Sequence, residues 1–187
     1  DVARMRPLAR ARTVTYLPQQ RPMAWPVRVA DAVALGRFAY GASPGRLGET
    51  DARIVREAIR ACDLEHLTNQ RTDTLSGGEL ARVHCARAFA AHTPLLLADE
   101  PVAALDPRHQ FSIMALLQDF VRRDGDALVV LHDVSLAARH ADRLIWMRDG
   151  TIVAEGPPEE TLTSERLREV YGVDARIEHG PDGTAVI

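Results

Sequence analysis

The stretch LSGGELARVHCARAFAAHTPLLLADEP, residues 75–101, decides the fold. It opens with a Ser-Gly-Gly turn, and the apolar side chains that follow recur at helical spacing, which predicts a helix over Glu79–Ala91. The run PLLLAD at Pro94–Asp99 is apolar without alternation, as is typical of a strand buried on both faces of a parallel sheet. The stretch therefore predicts a helix and then a buried strand that ends at Asp99 and Glu100.

Neighbouring segments extend this pattern in both directions. A second continuous apolar run, ALVVLHD at Ala127–Asp133, predicts another buried strand, and a helix near His109–Arg123 separates the two. Upstream, ARTVTYLPQQ predicts a short strand over Val14–Leu17. Downstream, RLIWMRDGTIVAEG predicts a hairpin that turns at Asp149-Gly150. Together these elements predict an α/β fold with a mainly parallel sheet.

Composition narrows the function class. The chain has 187 residues, of which 46% are hydrophobic, enough for the core of one large domain or of a domain plus a lobe. The net charge of −3 provides no broad basic field, so we expect no nucleic-acid partner. No run approaches 18 apolar residues, so no membrane span is predicted. Cys62 and Cys85 form no metal or disulfide spacing, which favours a reducing compartment.

The pair Asp99-Glu100 carries the first chemical signal. In open α/β sheets, ligands bind at the carboxyl ends of the strands. An aspartate there can hold Mg²⁺ directly or through water, and the adjacent glutamate can orient or deprotonate a water that attacks a γ-phosphate. An ordinary strand-end turn explains these two residues equally well on their own.

The turn Ser76-Gly77-Gly78 carries the second signal. Two glycines let backbone N–H groups approach an anion, the helix N-terminus adds positive potential, and Ser76 adds a hydroxyl. A flexible loop with a serine cap is the alternative. Glu79 suits the dipole of the first helical turn in either case, and this weakens the specificity of the motif.

Two further polar residues follow predicted strands. A neutral imidazole at His132 could donate to a γ-phosphate oxygen or position the attacking water. The amide of Gln19 could bind Mg²⁺ or hold that water, and Gln20 is an equal candidate on chemistry alone. Solvent-exposed residues without a role are the alternative for all three.

The order of these motifs resembles the ATP-binding subunits of ABC transporters. LSGGE at Leu75–Glu79 is similar to the LSGGQ signature, with glutamate in place of the last glutamine. LLLADE at Leu95–Glu100 resembles the Walker B strand with its catalytic glutamate, and AALD at Ala103–Asp106 resembles the D-loop. His132 matches the switch histidine, and YLPQ at Tyr16–Gln19 resembles the Q-loop.

The resemblance implies an ABC-type P-loop ATPase fold with an inserted α-helical subdomain, and it favours Gln19 over Gln20. It implies four parts: the end of the N-terminal catalytic part with the Q-loop (1–20), the helical subdomain through the signature helix (21–90), the RecA-like core (91–160), and a C-terminal helix and tail (161–187). The implied site residues are Asp99 and Gln19 for Mg²⁺; Glu100, His132 and Gln19 for catalysis; and Ser76, Gly77, Gly78, Glu79 and Asp106 for ATP.

The chain departs from the family pattern in two places. Val102-Ala103-Ala104 has no hydroxyl where the D-loop usually carries Ser or Thr, so hydrogen bonding across the dimer is in doubt there. No segment fits the Walker A pattern GxxxxGK[ST], all 23 Lys and Arg residues are Arg, and the aromatic that stacks on adenine is missing. Because Glu100 and His132 are present and the chain starts at Asp1, we expect truncation upstream rather than a degenerate ATPase.

The resemblance also implies partners. In this family ATP lies between two subunits, so we expect a second copy, membrane permease subunits and, indirectly, a substrate-binding protein, at the cytoplasmic face of the inner membrane. The lobe 21–71 should contact the permease through exposed apolar residues such as Trp25 and Phe38, although Trp25 could equally pack internally. TVTYLPQQ and LHDVSLAARHADRLIWMRDGTIVAEGPP look most like importers of iron–siderophore, haem and cobalamin. The alternatives are a soluble ABC ATPase that acts on DNA or ribosomes, and a non-enzymatic fragment.

Overall fold

The computed structural model describes residues 2–19, 23, 25–123, 125–180 and 183–186. Gln20, the alternative to Gln19, lies outside the described residues, as do Asp1 and Arg21. The chain divides into two compact units, residues 1–130 (unit 1) and 131–187 (unit 2). The four-part division stays a prediction.

Unit 1 alternates helices and strands. Short 3-10 helices lie at Val2–Arg4, Leu35–Tyr40, Glu65–Leu67 and Thr72–Thr74. The other elements, in chain order, are α1 (Pro7–Ala11), β1 (Val14–Leu17), α2 (Val29–Ala34), α3 (Glu49–Ala61), α4 (Gly77–Ala90), β2 (Leu95–Asp99), α5 (Pro107–Arg123) and β3 (Asp126–Val130).

The three strands of unit 1 form a parallel sheet in the order β1-β2-β3. This order confirms the prediction of a mainly parallel sheet. The central strand β2 buries Leu96 and Ala98 almost completely, but the residues on its other face are half-buried, and β3 has no fully buried residue. The predicted burial of both strands on both faces was therefore wrong. Strand β3 ends at Val130, three residues before its predicted end, because Val130 pairs with the last residue of β2, Asp99. Beyond this point β2 offers no further partner to extend the ladder.

Two helices of unit 1 begin earlier than predicted because side chains cap them. Ser76 caps α4: its hydroxyl accepts a hydrogen bond from the Glu79 N–H at 3.3 Å, and the Glu79 carboxylate accepts from the Ser76 N–H at 2.8 Å. This capping box starts the helix at Gly77. Helix α5 begins at Pro107, directly after Asp106, whose carboxylate satisfies one of the free N–H groups of the first turn.

Arg37 holds the helical part of unit 1 together. It lies in the 3-10 helix after α2 and is only 5% exposed. Its Nε donates to Asp51 of α3 at 2.8 Å, its Nη1 donates to the carbonyl of Ala90 at the end of α4 at 3.1 Å, and its guanidinium lies 3.7 Å from the ring centroid of Tyr40. One side chain thus ties three elements through an ion pair, a hydrogen bond and a cation–π contact.

Arg37→Met is expected to destabilise the protein by about 3–5 kcal/mol, because it leaves Asp51 without its cation in a mostly buried place. The matched control is Arg53→Met, which removes an ion pair to Glu57 whose two side chains are 59% and 57% exposed. Such a pair contributes about 0.3–0.5 kcal/mol. Denaturant unfolding of both variants measures the difference, and equal losses would contradict this account of Arg37.

Unit 2 contains α6 (Val134–His140), β4 (Leu144–Arg148), β5 (Thr151–Gly156), α7 (Pro158–Thr161), α8 (Ser164–Tyr171), β6 (Ile177–Gly180) and β7 (Gly183–Val186). Strands β4 and β5 form the predicted antiparallel hairpin, and both turn residues, Asp149 and Gly150, have positive φ. A small core beneath the hairpin consists of Leu144, Trp146, Leu162 and Leu167. Within the described ranges of the chain, we find no helix with the length and apolar character needed to cross a bilayer.

Candidate functional site

The carboxyl ends of β1 and β2 bring four side chains of unit 1 together in two pairs. Because these strands are parallel and adjacent, their ends meet at the same edge of the sheet. The Tyr16 hydroxyl on β1 donates to Oδ2 of Asp99 at 3.1 Å. This hydrogen bond is the main reason that the pKa of Tyr16 is raised. Asp99 is therefore oriented by the neighbouring strand.

The second pair joins Gln19 and Glu100. The Gln19 amide nitrogen donates to Oε2 of Glu100 at 2.5 Å, although the two residues are 81 positions apart in sequence. Glu100 has a φ of 46°, in the left-handed region, and its N–H donates to the carbonyl of Val130 at 3.0 Å. A non-glycine residue held in this conformation costs about 1–3 kcal/mol, and such residues concentrate at functional sites. Four other non-glycine residues that the structure describes also have a positive φ, so this conformation marks a tight turn at Glu100 and does not by itself indicate function.

The oxygen donors at this edge fit Mg²⁺. The ion prefers carboxylate and carbonyl oxygens and is usually held by one or two carboxylates together with phosphate oxygens and water. Asp99 supplies a carboxylate, and the side-chain amide of Gln19 contains a carbonyl oxygen. Among the described residues no group of three or more His, Cys, Asp or Glu could hold a metal ion. The oxygen donors that are present are of the kind that binds Mg²⁺ together with phosphate oxygens and water.

The turn before α4 has a defined internal geometry. The Ser76 N–H and hydroxyl both donate to Oε2 of Glu79 at 2.8 Å. These hydrogen bonds, the backbone one first, lower the pKa of the Glu79 carboxyl. A Cβ added to Gly77 would meet no atom within 4 Å, so this glycine is open to an incoming group. Two N–H groups next to each other and a helix N-terminus are suited to an anion.

Asp106 forms a third set of contacts, at the start of α5. Its Oδ1 accepts from the backbone N–H of His109 at 3.0 Å, and its Oδ2 lies 2.7 Å from Nδ1 of the same residue. The hydrogen bonds from His109, backbone first, lower the pKa of Asp106. The predicted role of Asp106 in ATP binding stays a prediction, but its carboxylate is held in one orientation.

His132 lies in unit 2, two residues after the end of β3. Asp99 and Glu100 belong to unit 1. The proximity of His132 to them therefore stays a prediction from the order of the motifs. Gln19 and Glu100, by contrast, are placed together directly.

Sequence reasoning assigned no role to Tyr16 or His109. The available signals were weak: Tyr16 lies on β1, three residues before Gln19, and His109 lies three residues after Asp106. A residue three positions after an aspartate at a helix N-terminus can donate its N–H to that aspartate as a cap. The contact of His109 with Asp106 was therefore easier to predict from sequence than that of Tyr16. The Tyr16–Asp99 contact depends on the pairing of two strands far apart in sequence.

Comparisons with known proteins identify the family of this chain. Residues 3–103 match the family described as ABC transporter. The haemin import ATP-binding protein HmuV of Pseudomonas aeruginosa is 41% identical over 180 residues, covering 94% of this chain and 69% of that protein. HmuV of Nocardia farcinica is also 41% identical and covers 88% of this chain and 57% of that protein. The chain thus spans only part of the length of either relative.

Solved structures show the same fold. An inward-facing ABC transporter assigned to the metal-chelate type superposes with a TM-score of 0.80 at 24% identity, over 93% of this chain and 70% of that one. A bacterial ABC transporter cassette solved as a dimer gives a TM-score of 0.65 at 30% identity, over 81% and 65% of the two chains. By its motifs, its sheet and its sequence identity to the haemin import proteins, the chain belongs to the ATP-binding subunits of ABC transporters, the ABC-type ATPases.

Proposed function

We propose that the intact subunit hydrolyses ATP between two copies of itself and thereby powers the import of haem, or of a related iron or cobalt chelate. The observation that carries this proposal is the contact between the Gln19 amide and Glu100, next to Asp99. The base for the attacking water, Glu100, and an oxygen ligand for Mg²⁺, Asp99, are then consecutive residues at the end of β2, and Gln19 reaches them from the end of β1. This is the arrangement that phosphoryl transfer to water requires.

Within the proposed site, the residues of the sheet edge have distinct roles. Asp99 and the side-chain oxygen of Gln19 would hold Mg²⁺, which would neutralise charge on the phosphate oxygens. Glu100 accepts a proton from the attacking water, and the Gln19 amide keeps the carboxylate and that water in line. The family resemblance implies that His132, which lies in unit 2, donates to a γ-phosphate oxygen.

The signature turn acts on the nucleotide of the partner copy. Ser76, Gly77 and Gly78 donate hydrogen bonds to its phosphates at the N-terminus of α4. Ser76 donates to Glu79 in the free subunit, so binding the partner's nucleotide requires its hydroxyl to change acceptor. Glu79 and Asp106 complete the contact surface. Two copies are required because the signature turn of each copy binds the nucleotide held by the other copy.

The substrate class rests on relatives. Proteins that share about 40% identity with this chain are haemin import ATP-binding proteins. We therefore place the subunit at the cytoplasmic face of the inner membrane, with permease subunits as direct partners and a substrate-binding protein as an indirect one. In the described part of the lobe 21–71, Trp25 and Phe38 are 65% and 71% exposed. These exposures support docking of both rings on the permease.

Tyr16→Phe is expected to raise the Mg²⁺ concentration for half-maximal ATP turnover about tenfold, because groups that orient a metal ligand commonly contribute this much to metal affinity. The phenyl ring keeps the packing and removes only the hydroxyl that donates to Asp99. Tyr171→Phe, in unit 2, is the matched control. A magnesium titration of turnover checks this, and identical curves for both variants would contradict the proposed role of Asp99.

Transport itself is tested in proteoliposomes that contain the intact subunit and its permease. ATP is enclosed in the lumen, and haem or cobalamin is added to the external buffer. ATP-dependent haem accumulation is the expected result.

Cysteine crosslinking from Trp25→Cys and Phe38→Cys to the permease tests the docking surface, with Val173→Cys, 47% exposed in the tail, as control. Crosslinks confined to the tail, or turnover stimulated by DNA or ribosomes instead, would contradict the proposal.

A further inference from the structure

Helices α4 and α5 pack against each other at two levels. Near their C-terminal ends the rings of Phe89 and Phe120 stack, with centroids 5.3 Å apart and planes 13° apart. Near their N-terminal ends the ring of His109 lies against Gly78. The two contacts are eleven residues apart on both helices, about 16 Å of helix. The helices therefore run in the same direction, and the signature turn and Asp106 lie next to each other.

The contact between His109 and Gly78 is too close for any other residue. A Cβ placed on Gly78 would lie 2.1 Å from Cδ2 and 2.4 Å from Nε2 of His109, distances that atoms do not tolerate. Gly77, its neighbour, meets nothing within 4 Å. The two glycines of the turn thus have different reasons to be glycine. Gly77 is open, whereas Gly78 makes room for the imidazole.

The imidazole is held from the other side by Asp106. Capping of α5 requires only that the Asp106 carboxylate accept from the His109 N–H, at 3.0 Å. The 2.7 Å contact between Nδ1 and the second carboxylate oxygen is additional, and it fixes the orientation of the ring. His109 therefore links an aspartate and a glycine that belong to different motifs.

We propose that His109 is a positioning residue that couples the D-loop to the signature turn. Its ring sets the distance between Asp106 and Gly78, so that both segments meet the partner's nucleotide as one rigid surface. The inference rests on the proposed function, since it assumes that this surface closes on ATP. His109 itself does not need to touch the nucleotide.

Three substitutions in the intact subunit separate the two contacts. His109→Ala removes both, His109→Asn keeps a donor near the position of Nδ1, and His109→Phe keeps a ring against Gly78. We expect His109→Ala to raise the KM for ATP about tenfold, equivalent to about 1.4 kcal/mol. We expect kcat to change less, because Asp99 and Glu100 are untouched. The Asn and Phe variants should each recover part of the loss. A KM for His109→Ala equal to that of the wild type would overturn the proposal.

A second measurement does not depend on turnover. Gly78→Ala should lower the thermal unfolding midpoint strongly when His109 is present, because the methyl group meets the ring. In the His109→Ala background the shift should fall to roughly half or less, since residues in contact are not additive. Equal shifts in both backgrounds would overturn the coupling. A wild-type subunit without ATP turnover would contradict the proposed function, and this thermal cycle would still decide the coupling.

Discussion

Glu100→Gln in the intact subunit is expected to lower ATP turnover by about 10²–10⁴-fold while ATP binding stays close to that of the wild type. A positioned general base contributes a factor of this size, and an amide cannot accept the water's proton. The substitution is conservative in this structure, since the amide oxygen of a glutamine can still accept the hydrogen bond that Gln19 donates to Glu100. The loss is therefore expected in kcat and not in the affinity for ATP.

The measurement is single-turnover hydrolysis together with equilibrium ATP binding. Glu57→Gln, which makes the same change on an exposed face of α3, is the control and should hydrolyse ATP at the wild-type rate. A Glu100→Gln subunit with wild-type turnover would refute the assignment of the base. If the Glu100→Gln variant lost ATP affinity as well as turnover, Glu100 would instead have a role in ATP binding.

Residues 1–187 purified alone are expected to bind ATP about a thousandfold more weakly, or worse, than a chain that carries a Walker A loop. Such a loop supplies several backbone N–H donors and one ammonium to the phosphates, and these 187 residues contain no lysine. Hydrogen bonds to charged groups contribute about 1.5–3 kcal/mol each, so losing three costs roughly 4–9 kcal/mol. Each 1.4 kcal/mol is about tenfold in affinity.

The comparison chain is a fusion in which an N-terminal segment with the Walker A pattern GxxxxGK[ST] precedes residue 1. Equilibrium binding of ATP and phosphate release are measured for both chains. Two copies of the short chain contain no Walker A loop between them, so raising its concentration should not restore hydrolysis. Micromolar affinity in the short chain would show that its phosphate-binding groups lie elsewhere in these 187 residues.

Much of the fold was predictable because local signals agreed with it. The continuous apolar run of β2 predicted the strand itself, although only the face with Leu96 and Ala98 is fully buried and the other face is half-buried. The Asp149-Gly150 turn tolerates positive φ and so predicted its hairpin. Boundaries were less accurate: α4 starts at Gly77 because the Ser76–Glu79 capping box acts one turn before the apolar periodicity begins.

The candidate site was predictable only as a set of separate motifs. The order of motifs along the chain predicted Asp99, Glu100 and Gln19, since each lies at or just after the end of a strand and each motif is local. Their contacts were not accessible in this way. The hydrogen bond from Gln19 to Glu100 crosses 81 residues, and the one from Tyr16 to Asp99 crosses 83. Both require β1 and β2 to be neighbours in a parallel register that no local signal encodes.

By itself, then, the sequence determined the family through the resemblance of its motifs. It also determined the parallel sheet and the positions of the motifs, because apolar periodicity, caps and glycine turns act over a few residues. Only the tertiary structure decided which side chains hold those motifs in place. Tyr16 orients Asp99 because strand pairing brings them together, and His109 meets Gly78 because α4 and α5 pack in the same direction. Such contacts depend on the mutual placement of whole elements, a property of the folded chain rather than of any segment.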